Sequence, residues 1–196
     1  MITLAVANQK GGVGKTTTTH NLGHALHEAG QRVLLVDLDQ RTDLTMVSGL
    51  DPEALEYSVY DLISQTIRGR GRISIDEVIV TRENGIDVLP ASEELSGAQA
   101  DLMTTVAGDA ILGRILAGVG ERYDYILIDT PADLNLLTIN ALVAAERVLI
   151  PIQTEFLSAK GGRRLLETVG VVRERLNPNL NVDGLLLTMV THTLIS

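Results

Sequence analysis

The amino-acid sequence predicts an α/β fold in which a mainly parallel, twisted sheet is flanked by helices, giving three layers. Apolar runs of strand length alternate along the chain with longer segments of helical periodicity, which is typical of parallel β–α–β units. Several of these runs are apolar without alternation, as expected of strands that are covered on both faces. With 196 residues, the chain is long enough to form a single domain over 1–196.

Composition narrows the classes of function. The net charge is −9, so binding to nucleic acid would need a local basic patch rather than the overall field. The sequence has no cysteine, which excludes disulfides and thiolate metal sites. No apolar run approaches the length of a membrane span, and the first residues read as a strand rather than as a signal peptide. We therefore expect a cytoplasmic protein.

The strongest motif lies between the first predicted strand and the first predicted helix. An apolar run over 2–7 is followed by Asn8-Gln9-Lys10-Gly11-Gly12-Val13-Gly14-Lys15-Thr16-Thr17. The glycines let backbone N–H groups turn inward, and the N-terminus of the helix adds the positive end of its dipole. This predicts a phosphate cradle in which Lys15 reaches the outer phosphates and the Thr16 hydroxyl binds Mg²⁺.

The loop departs from the usual phosphate-binding pattern at its first glycine. That glycine would stand five residues before Gly14, where this chain has Gln9. A second lysine, Lys10, stands at the opening of the loop instead. Because Lys15 already serves the bound triphosphate, we expect Lys10 to have a separate task.

The first helix is predicted from the loop to about residue 29, with Gly30 as its C-terminal stop. An apolar stripe at helical spacing holds Leu22, Ala25, Leu26 and Ala29. A second stripe, roughly opposite, holds His20, His24 and His27. No carboxylate or cysteine joins these histidines in sequence, so we interpret them as a solvated or interface face rather than as a metal site.

The second predicted strand covers 32–38 and ends in two carboxylates, Asp37 and Asp39. Residues at the C-terminal end of a parallel strand lie beside the phosphate loop, and alternation would send both side chains to the same side. A carboxylate there could hold a Mg²⁺-bound water or orient the attacking water. The alternative is that the two aspartates only cap the end of the strand.

The middle of the chain is less regular. A helix is predicted over 58–67, and strand-like segments over 73–80 and 86–89. The basic tract Arg68-Gly69-Arg70-Gly71-Arg72 is interpreted as a solvated connector, with a phosphate-contacting loop as the alternative. Helical segments follow, up to about residue 102 and over 109–121.

A second strong motif follows, where an apolar strand over 123–129 ends in Asp129 and is broken by Pro131. This is the Walker B arrangement, in which the aspartate holds Mg²⁺ through water. Further on, a helix is predicted over 134–145, a strand over 147–152, a long helix over 158–176 and a last strand over 184–189. The basic residues of the long helix form a solvated face or part of a DNA-contacting surface: Lys160, Arg163, Arg164, Arg173 and Arg175.

The run from Lys10 to Thr17 resembles the deviant Walker A ATPases, the group of ParA, Soj and MinD, and the resemblance covers nearly the whole chain. It implies the P-loop NTPase fold, with ATP and Mg²⁺ as ligands. The nucleotide-binding residues that it implies are Lys10, Gly11, Gly12, Val13, Gly14, Lys15, Thr16 and Thr17. The metal-binding residues that it implies are Thr16, Asp37 and Asp129. The catalytic residues that it implies are Lys10, which reaches the partner's nucleotide across a dimer, Lys15, and Asp39, which positions the attacking water.

The resemblance implies a slow, partner-stimulated ATPase that hydrolyses ATP to ADP and phosphate. Such a protein forms an ATP-dependent homodimer, binds DNA non-specifically, and drives plasmid or chromosome partition with a ParB-type partner. We expect it on the nucleoid in the cytoplasm, with no membrane partner. One alternative is a MinD-like positioning ATPase that cycles on membranes and needs an amphipathic C-terminal helix. The other alternative is a nucleotide-gated binding module with little turnover.

Three departures from the family bear on these alternatives. The family usually continues Asp-Pro-Gln-(Gly/Ala)-Asn after the second strand, whereas this chain has Asp39-Gln40-Arg41-Thr42-Asp43. A pair of prolines that is frequent after the Walker B strand is replaced by Pro131-Ala132. Family members also continue beyond the last strand, so we expect this chain to lack their C-terminal strand and helices.

Overall fold

Seven strands form one sheet in the computed structural model, which describes residues 1–154 and 161–190. They are β1 (Ile2–Val6), β2 (Val33–Asp37), β3 (Val80–Thr81), β4 (Asp87–Leu89), β5 (Tyr125–Asp129), β6 (Arg147–Gln153) and β7 (Asn181–Thr188). Their order across the sheet is β3-β4-β2-β5-β1-β6-β7. The short β3 pairs antiparallel with β4, and the other neighbours pair in parallel, which confirms the predicted sheet.

Helices cover both faces of this sheet. They are α1 (Lys15–Glu28), α2 (Asp43–Val47), α3 (Val59–Arg68), α4 (Ile75–Val78), α5 (Leu95–Thr104), α6 (Ile111–Ala117), α7 (Leu136–Ala144) and α8 (Gly161–Arg175). One apolar cluster joins alternate strand residues to α3 and α5–α8. A smaller cluster on the other face joins the sheet to α1 and α2. The three predicted layers are therefore present.

The register of the central strands sets the position of the site. Asp37 and Asp129 are directly paired at the C-terminal ends of β2 and β5. Val6, the last residue of β1, pairs with Asp129 from the other side. The loop that follows β1 therefore begins beside both carboxylates, as expected where parallel strands end at one edge.

The face of α1 that packs on the sheet matches the predicted apolar stripe in part, since Leu22 and Leu26 pack against the smaller cluster. The buried residues of α1 are Lys15, Thr19 and Gly23, whereas Ala25 and Ala29 are exposed. A Cβ atom at Gly23 would lie 2.5 Å from Leu35 Cδ2. The helix thus approaches the sheet through small residues at Thr19 and Gly23, which hydrophobic periodicity does not detect.

The prediction of a strand-like segment over 73–80 was wrong. Residues 75–78 form α4, and only Val80–Thr81 pairs as a strand. Ser74 and Glu77 form a capping box at the start of α4. The Ser74 hydroxyl accepts from the backbone N–H of Glu77, and the Glu77 carboxylate accepts from the backbone N–H of Ser74. This local arrangement favours a helix over the extended chain that the apolar residues suggested.

Candidate nucleotide-binding site

The glycine-rich loop between β1 and α1 has the backbone of a phosphate cradle. Gly12 and Gly14 have φ angles of +71° and +88°, in the left-handed region that glycine adopts without strain. Gly14 is the residue before α1, so the free N–H groups of the first helical turn face the loop. The chain folds here into the concave turn that its glycine spacing predicts.

Side chains far away in sequence hold this loop in place. Asn8 Nδ2 donates to the carbonyl of Pro151 at 2.6 Å, and Asn8 Oδ1 accepts from the N–H of Lys10 at 3.1 Å. Thr188 Oγ1 donates to the carbonyl of Val13 at 2.9 Å. The loop is therefore fixed to the ends of β6 and β7, and sequence analysis did not identify these anchors.

Lys15 is a buried ammonium group at the base of the cradle. Its side chain belongs to a residue that is only 5% exposed. Burial lowers the pKa of Lys15, against the carboxylates of Asp129 and Asp39, which raise it. Within the described residues, no group accepts a hydrogen bond from its ammonium or forms an ion pair with it. An isolated buried cation is costly, so this arrangement favours an anionic ligand.

Asp37 and Asp129 are both fully buried. Burial raises the pKa of Asp37 to about 6, and burial together with the charge of Asp37 raises the pKa of Asp129 to about 7. Thr16 Oγ1 donates to Asp129 Oδ2 at 2.6 Å, while Asp129 Oδ1 is buried without a hydrogen-bond partner among the described residues. A hydroxyl beside an unsatisfied carboxylate oxygen suits Mg²⁺, which prefers oxygen ligands.

Asp37 is more fully engaged by the protein than Asp129. Its Oδ2 accepts from both the backbone N–H and the hydroxyl of Thr45, at 2.8 and 2.7 Å. Its Oδ1 accepts from the N–H of Asp39 at 3.1 Å. Asp37 thus ties the first turn of α2 to the end of β2. Because both of its oxygens already accept hydrogen bonds, it is a weaker metal-binding candidate than Thr16 and Asp129.

Asp39 is held by an arginine two residues further along. Its Oδ1 accepts from the N–H of Arg41 at 3.0 Å, and its Oδ2 accepts from the Arg41 guanidinium at 2.9 and 3.2 Å. The same guanidinium lies 3.3 Å from the carboxylate of Asp43. Arg41 stands where the family usually has glutamine. It contacts both oxygens of Asp39, the predicted water-positioning residue.

Lys10 contacts its own subunit. Its Nζ donates to Gln153 Oε1 at 2.5 Å, and Gln153 Nε2 donates to the carbonyl of Gly12 at 3.1 Å. Gln153 is the last residue of β6, so it lies at the same edge as the aspartates. A polar residue at the end of a buried parallel strand is the signal that could have identified it.

The basic residues outside the cradle are exposed where they are described. Arg68, Arg70 and Arg72 lie on the connector between α3 and α4, as the sequence predicted. On α8 the exposed basic residues are Arg164, Arg173 and Arg175. Lys160 and the side chain of Arg163 lie outside the described part of the chain.

Comparison with known proteins assigns the family. Residues 1–182 match the family model described as an AAA domain. The sporulation initiation inhibitor protein Soj of Bacillus subtilis is 43% identical over 187 residues, which span 95% of this chain and 72% of Soj. The chain belongs to the ParA/Soj family of P-loop ATPases. The chromosome partitioning protein ParA of Caulobacter vibrioides is 40% identical over 188 residues, 68% of its length.

Solved structures of relatives share the fold. A Mycobacterium smegmatis protein described as cobyrinic acid a,c-diamide synthase, with bound ADP and magnesium, has a TM-score of 0.89 and 40% identity, over 95% of this chain and 74% of that one. Its structure with an ATP analogue and magnesium also gives 0.89, at 39% identity, over 98% and 78% of the two chains. This relative carries a different name from Soj and ParA. One of its structures contains ADP and the other an ATP analogue, each together with magnesium.

Proposed function

We propose that this protein is a partition-type ATPase that binds Mg²⁺-ATP in the cradle of residues 10–17 and hydrolyses it to ADP and phosphate. The observation that carries this proposal is the buried Lys15 side chain beside a buried carboxylate oxygen of Asp129 that has no hydrogen-bond partner in the described residues. The Lys15 ammonium needs an anion, and Asp129 Oδ1 needs a cation. A nucleotide phosphate with its magnesium ion supplies both.

The residues of the cradle would divide the work as follows. The backbone N–H groups of residues 11–14 and the ammonium of Lys15 bind the phosphates. Thr16 and Asp129 hold the metal, and Asp37, which pairs with Asp129 in the sheet, supports them. Mg²⁺, when bound, neutralises charge on the phosphate oxygens. Asp39 orients the attacking water.

Arg41 limits this last step. Because the guanidinium covers Asp39 Oδ2, it must move before that oxygen can bind a water. The ion pair is partly exposed, since the Arg41 side chain is 52% exposed, so a modest displacement releases it. We therefore expect a slow basal rate that a partner accelerates.

Lys10 would act between subunits. In the ATP-bound state it leaves Gln153 and contacts the phosphates of a second copy, so that dimerisation depends on nucleotide. Such a cation in trans stabilises charge on the transferred phosphoryl group, an effect of roughly 10³–10⁵ in rate in other systems. The name of the Caulobacter relative supports a role in chromosome partition. For such a role the family resemblance implies a dimer that binds DNA non-specifically on the nucleoid and responds to a ParB-type partner.

DNA contacts would come from local basic residues. The exposed arginines of α8 are the described candidates, because the net charge of −9 opposes binding through the overall field. In the described residues, no helix is both long enough and apolar enough to cross a membrane. None of the contacts described above favours the membrane-cycling alternative.

A nucleotide-gated binding module with little turnover is the second candidate. The ion pair between Arg41 and Asp39 favours it, because a carboxylate oxygen that is held by a guanidinium is less free to orient a water. The module would still bind Mg²⁺-ATP and dimerise, but it would not release phosphate.

Phosphate release from Mg²⁺-ATP, with and without DNA and a ParB-type partner, tests the proposal. We expect Asp39→Ala to abolish release and to trap the ATP-bound dimer. We expect Arg41→Ala to raise the basal rate by about two- to tenfold, because an exposed ion pair is worth up to about 1 kcal/mol. Gln40→Ala, an exposed neighbour, is the matched control. Undiminished release in Asp39→Ala would remove this residue from the mechanism, and no release under any condition would favour the binding module.

A further inference from the structure

A second pocket lies on the α1 face of the sheet, between α1, the end of α2 and the hairpin that joins β3 to β4. It is a cavity of about 350 Å³, and its floor is made by buried apolar residues of β2 and β4. Its polar lining consists of His20, His24, Ser48, Arg82, Glu83 and Asn84. None of these residues takes part in the nucleotide-binding site described above.

Arg82 is an unpaired cation in this pocket. It is half-buried, and its guanidinium lies against the backbone of Gly49, where an added Cβ would be 2.8 Å from Nη2. Within residues 1–154 and 161–190, its guanidinium makes no hydrogen bond or ion pair. The arginines that do pair with aspartates are Arg32, Arg41, Arg122 and Arg147.

Two imidazoles face each other beside it. His20 Nε2 and His24 Nε2 are 3.1 Å apart, and His24 Nδ1 lies 3.5 Å from Asn84 Nδ2. The His20 ring also hydrogen-bonds the backbone of Val47 at the end of α2. Burial and the neighbouring His24 lower the pKa of His20, so the His20 ring favours its neutral form until a negative charge arrives.

The remaining polar groups of the lining are a hydroxyl and a carboxylate. Ser48 Oγ is buried and has no hydrogen-bond partner among the described residues. Glu83 is exposed at the rim, where its carboxylate opposes an anion. The charged or titratable groups around the imidazole pair are thus Arg82 and Glu83 on the hairpin and His27 one turn further along α1, while the α2 wall is neutral.

We propose that this pocket binds a small anion through a phosphate or carboxylate group, held by the guanidinium of Arg82 and by the Nε2–H groups that His20 and His24 both carry once the pair takes up a proton and its Nε2–Nε2 hydrogen bond breaks. Ser48 Oγ is a further donor to such a group. A cation fits less well, because the pair offers only two nitrogens and the guanidinium repels it. No group of three or more His, Cys, Asp or Glu in the described residues could hold a metal ion.

The pocket shares both walls with the nucleotide-binding site. α1 begins at Lys15 and carries the two histidines, and α2 is tied to Asp37 through Thr45 and ends at the pocket. An anion that shifts the end of α2 therefore acts on the carboxylates at its start. By linkage, nucleotide and anion change each other's affinity by the same factor. This coupling rests on the proposed function, whereas anion binding itself does not.

The test is a titration with inorganic phosphate and, separately, with succinate, observed through the imidazole NMR signals of His20 and His24. The protein is first saturated with Mg²⁺-ADP, so that the cradle is filled, and the titration is repeated without nucleotide on Lys15→Ala. We expect saturable shifts of both rings and at least tenfold weaker binding in Arg82→Gln. His24→Gln should weaken binding as well, and Glu83→Gln should strengthen it.

The pH dependence has a fixed sign. A bound anion raises the imidazole pKa above its value in the free protein, so binding should be tighter at about pH 6 than at about pH 7.5. The preferred anion distinguishes a phosphate ligand from a carboxylate ligand. A second readout is the affinity for ADP, which should change with saturating anion in the wild type and not in Arg82→Gln.

Three results would overturn the proposal. The first is that neither anion shifts the imidazole NMR signals at about 10 mM, or that Arg82→Gln binds the anion as tightly as the wild type does. The second is that the shifts are confined to the amides of residues 11–17, which places the anion in the cradle. The third is that Zn²⁺ binds the histidine pair tightly while phosphate and succinate do not. An anion that binds without changing ADP affinity would overturn the coupling only.

Discussion

The two pockets lie at opposite ends of the same two helices and differ in charge and in burial. At the strand ends, Asp37, Asp129 and Lys15 are nearly excluded from water, and each has a pKa moved toward its neutral form. At the other end, His20 and Arg82 are only half-buried. The empty nucleotide-binding site therefore lowers the stability of the folded protein, and its ligand should restore that stability. The pocket around His20 and Arg82 keeps its polar groups partly exposed, so it lowers the stability little when no anion is bound.

The largest expected effect is that of Lys15→Ala on nucleotide binding. The buried ammonium is the cation at the base of the cradle, so its removal should weaken Mg²⁺-ATP binding by at least about a hundredfold. Titration calorimetry measures this directly. Arg82→Gln serves as the control, because it removes a cation from the other pocket. Wild-type affinity in Lys15→Ala would show that phosphate does not bind in this loop.

Lys10→Ala should act on assembly rather than on nucleotide binding. The variant should bind ATP within a few-fold of the wild type but lose the ATP-dependent dimer, because the cation that acts in trans is missing. Gln153→Leu removes one contact between Lys10 and its own subunit, and it should favour the dimer. Light scattering with ADP and with ATP measures both. A dimer of Lys10→Ala with ATP would refute the role in trans.

Asp129→Asn should stabilise the free protein at neutral pH. A raised pKa in the folded state means that this carboxylate contributes stability below about pH 4 and loses it as the pH rises through about 7. Removing the charge should therefore raise the free energy of unfolding at about pH 7.5 by about 1–3 kcal/mol, and by much less at about pH 4.

Denaturant unfolding in EDTA at both pH values measures this difference between variant and wild type. Mg²⁺-ATP should stabilise the wild type more than the variant, since the metal-binding oxygen has been replaced. Glu83→Gln, at the rim of the other pocket, is the control, and its difference from the wild type in the free energy of unfolding should change little with pH. A variant that is less stable than the wild type at neutral pH would contradict the picture of a buried, unsatisfied carboxylate.

The parts of the site that are local in sequence could be predicted. The spacing of Gly12, Gly14 and Lys15 indicates the cradle without any tertiary contact. Asp37 and Asp129 could be placed together because parallel strands end at one edge of a sheet. The mainly parallel sheet followed from the same alternation of strands and helices.

What could not be predicted depends on contacts between distant residues or on the absence of a side chain. Gln153 contacts both Lys10 and Gly12, although more than a hundred residues separate them. Gly23 packs α1 against Leu35 and leaves no apolar signal. His20 and His24 were interpreted as a solvated or interface face, because sequence alone does not show that the β3–β4 hairpin closes over them.

The most direct test of the central claim is a crystal structure with Mg²⁺ and a non-hydrolysable ATP analogue. We expect phosphates on the N–H groups of residues 11–16, the Lys15 ammonium on the outer phosphates, and the metal beside Thr16 and Asp129. A nucleotide bound elsewhere, or a filled loop in which Lys15 and Asp129 make no contact with the phosphates or the metal, would contradict the claim.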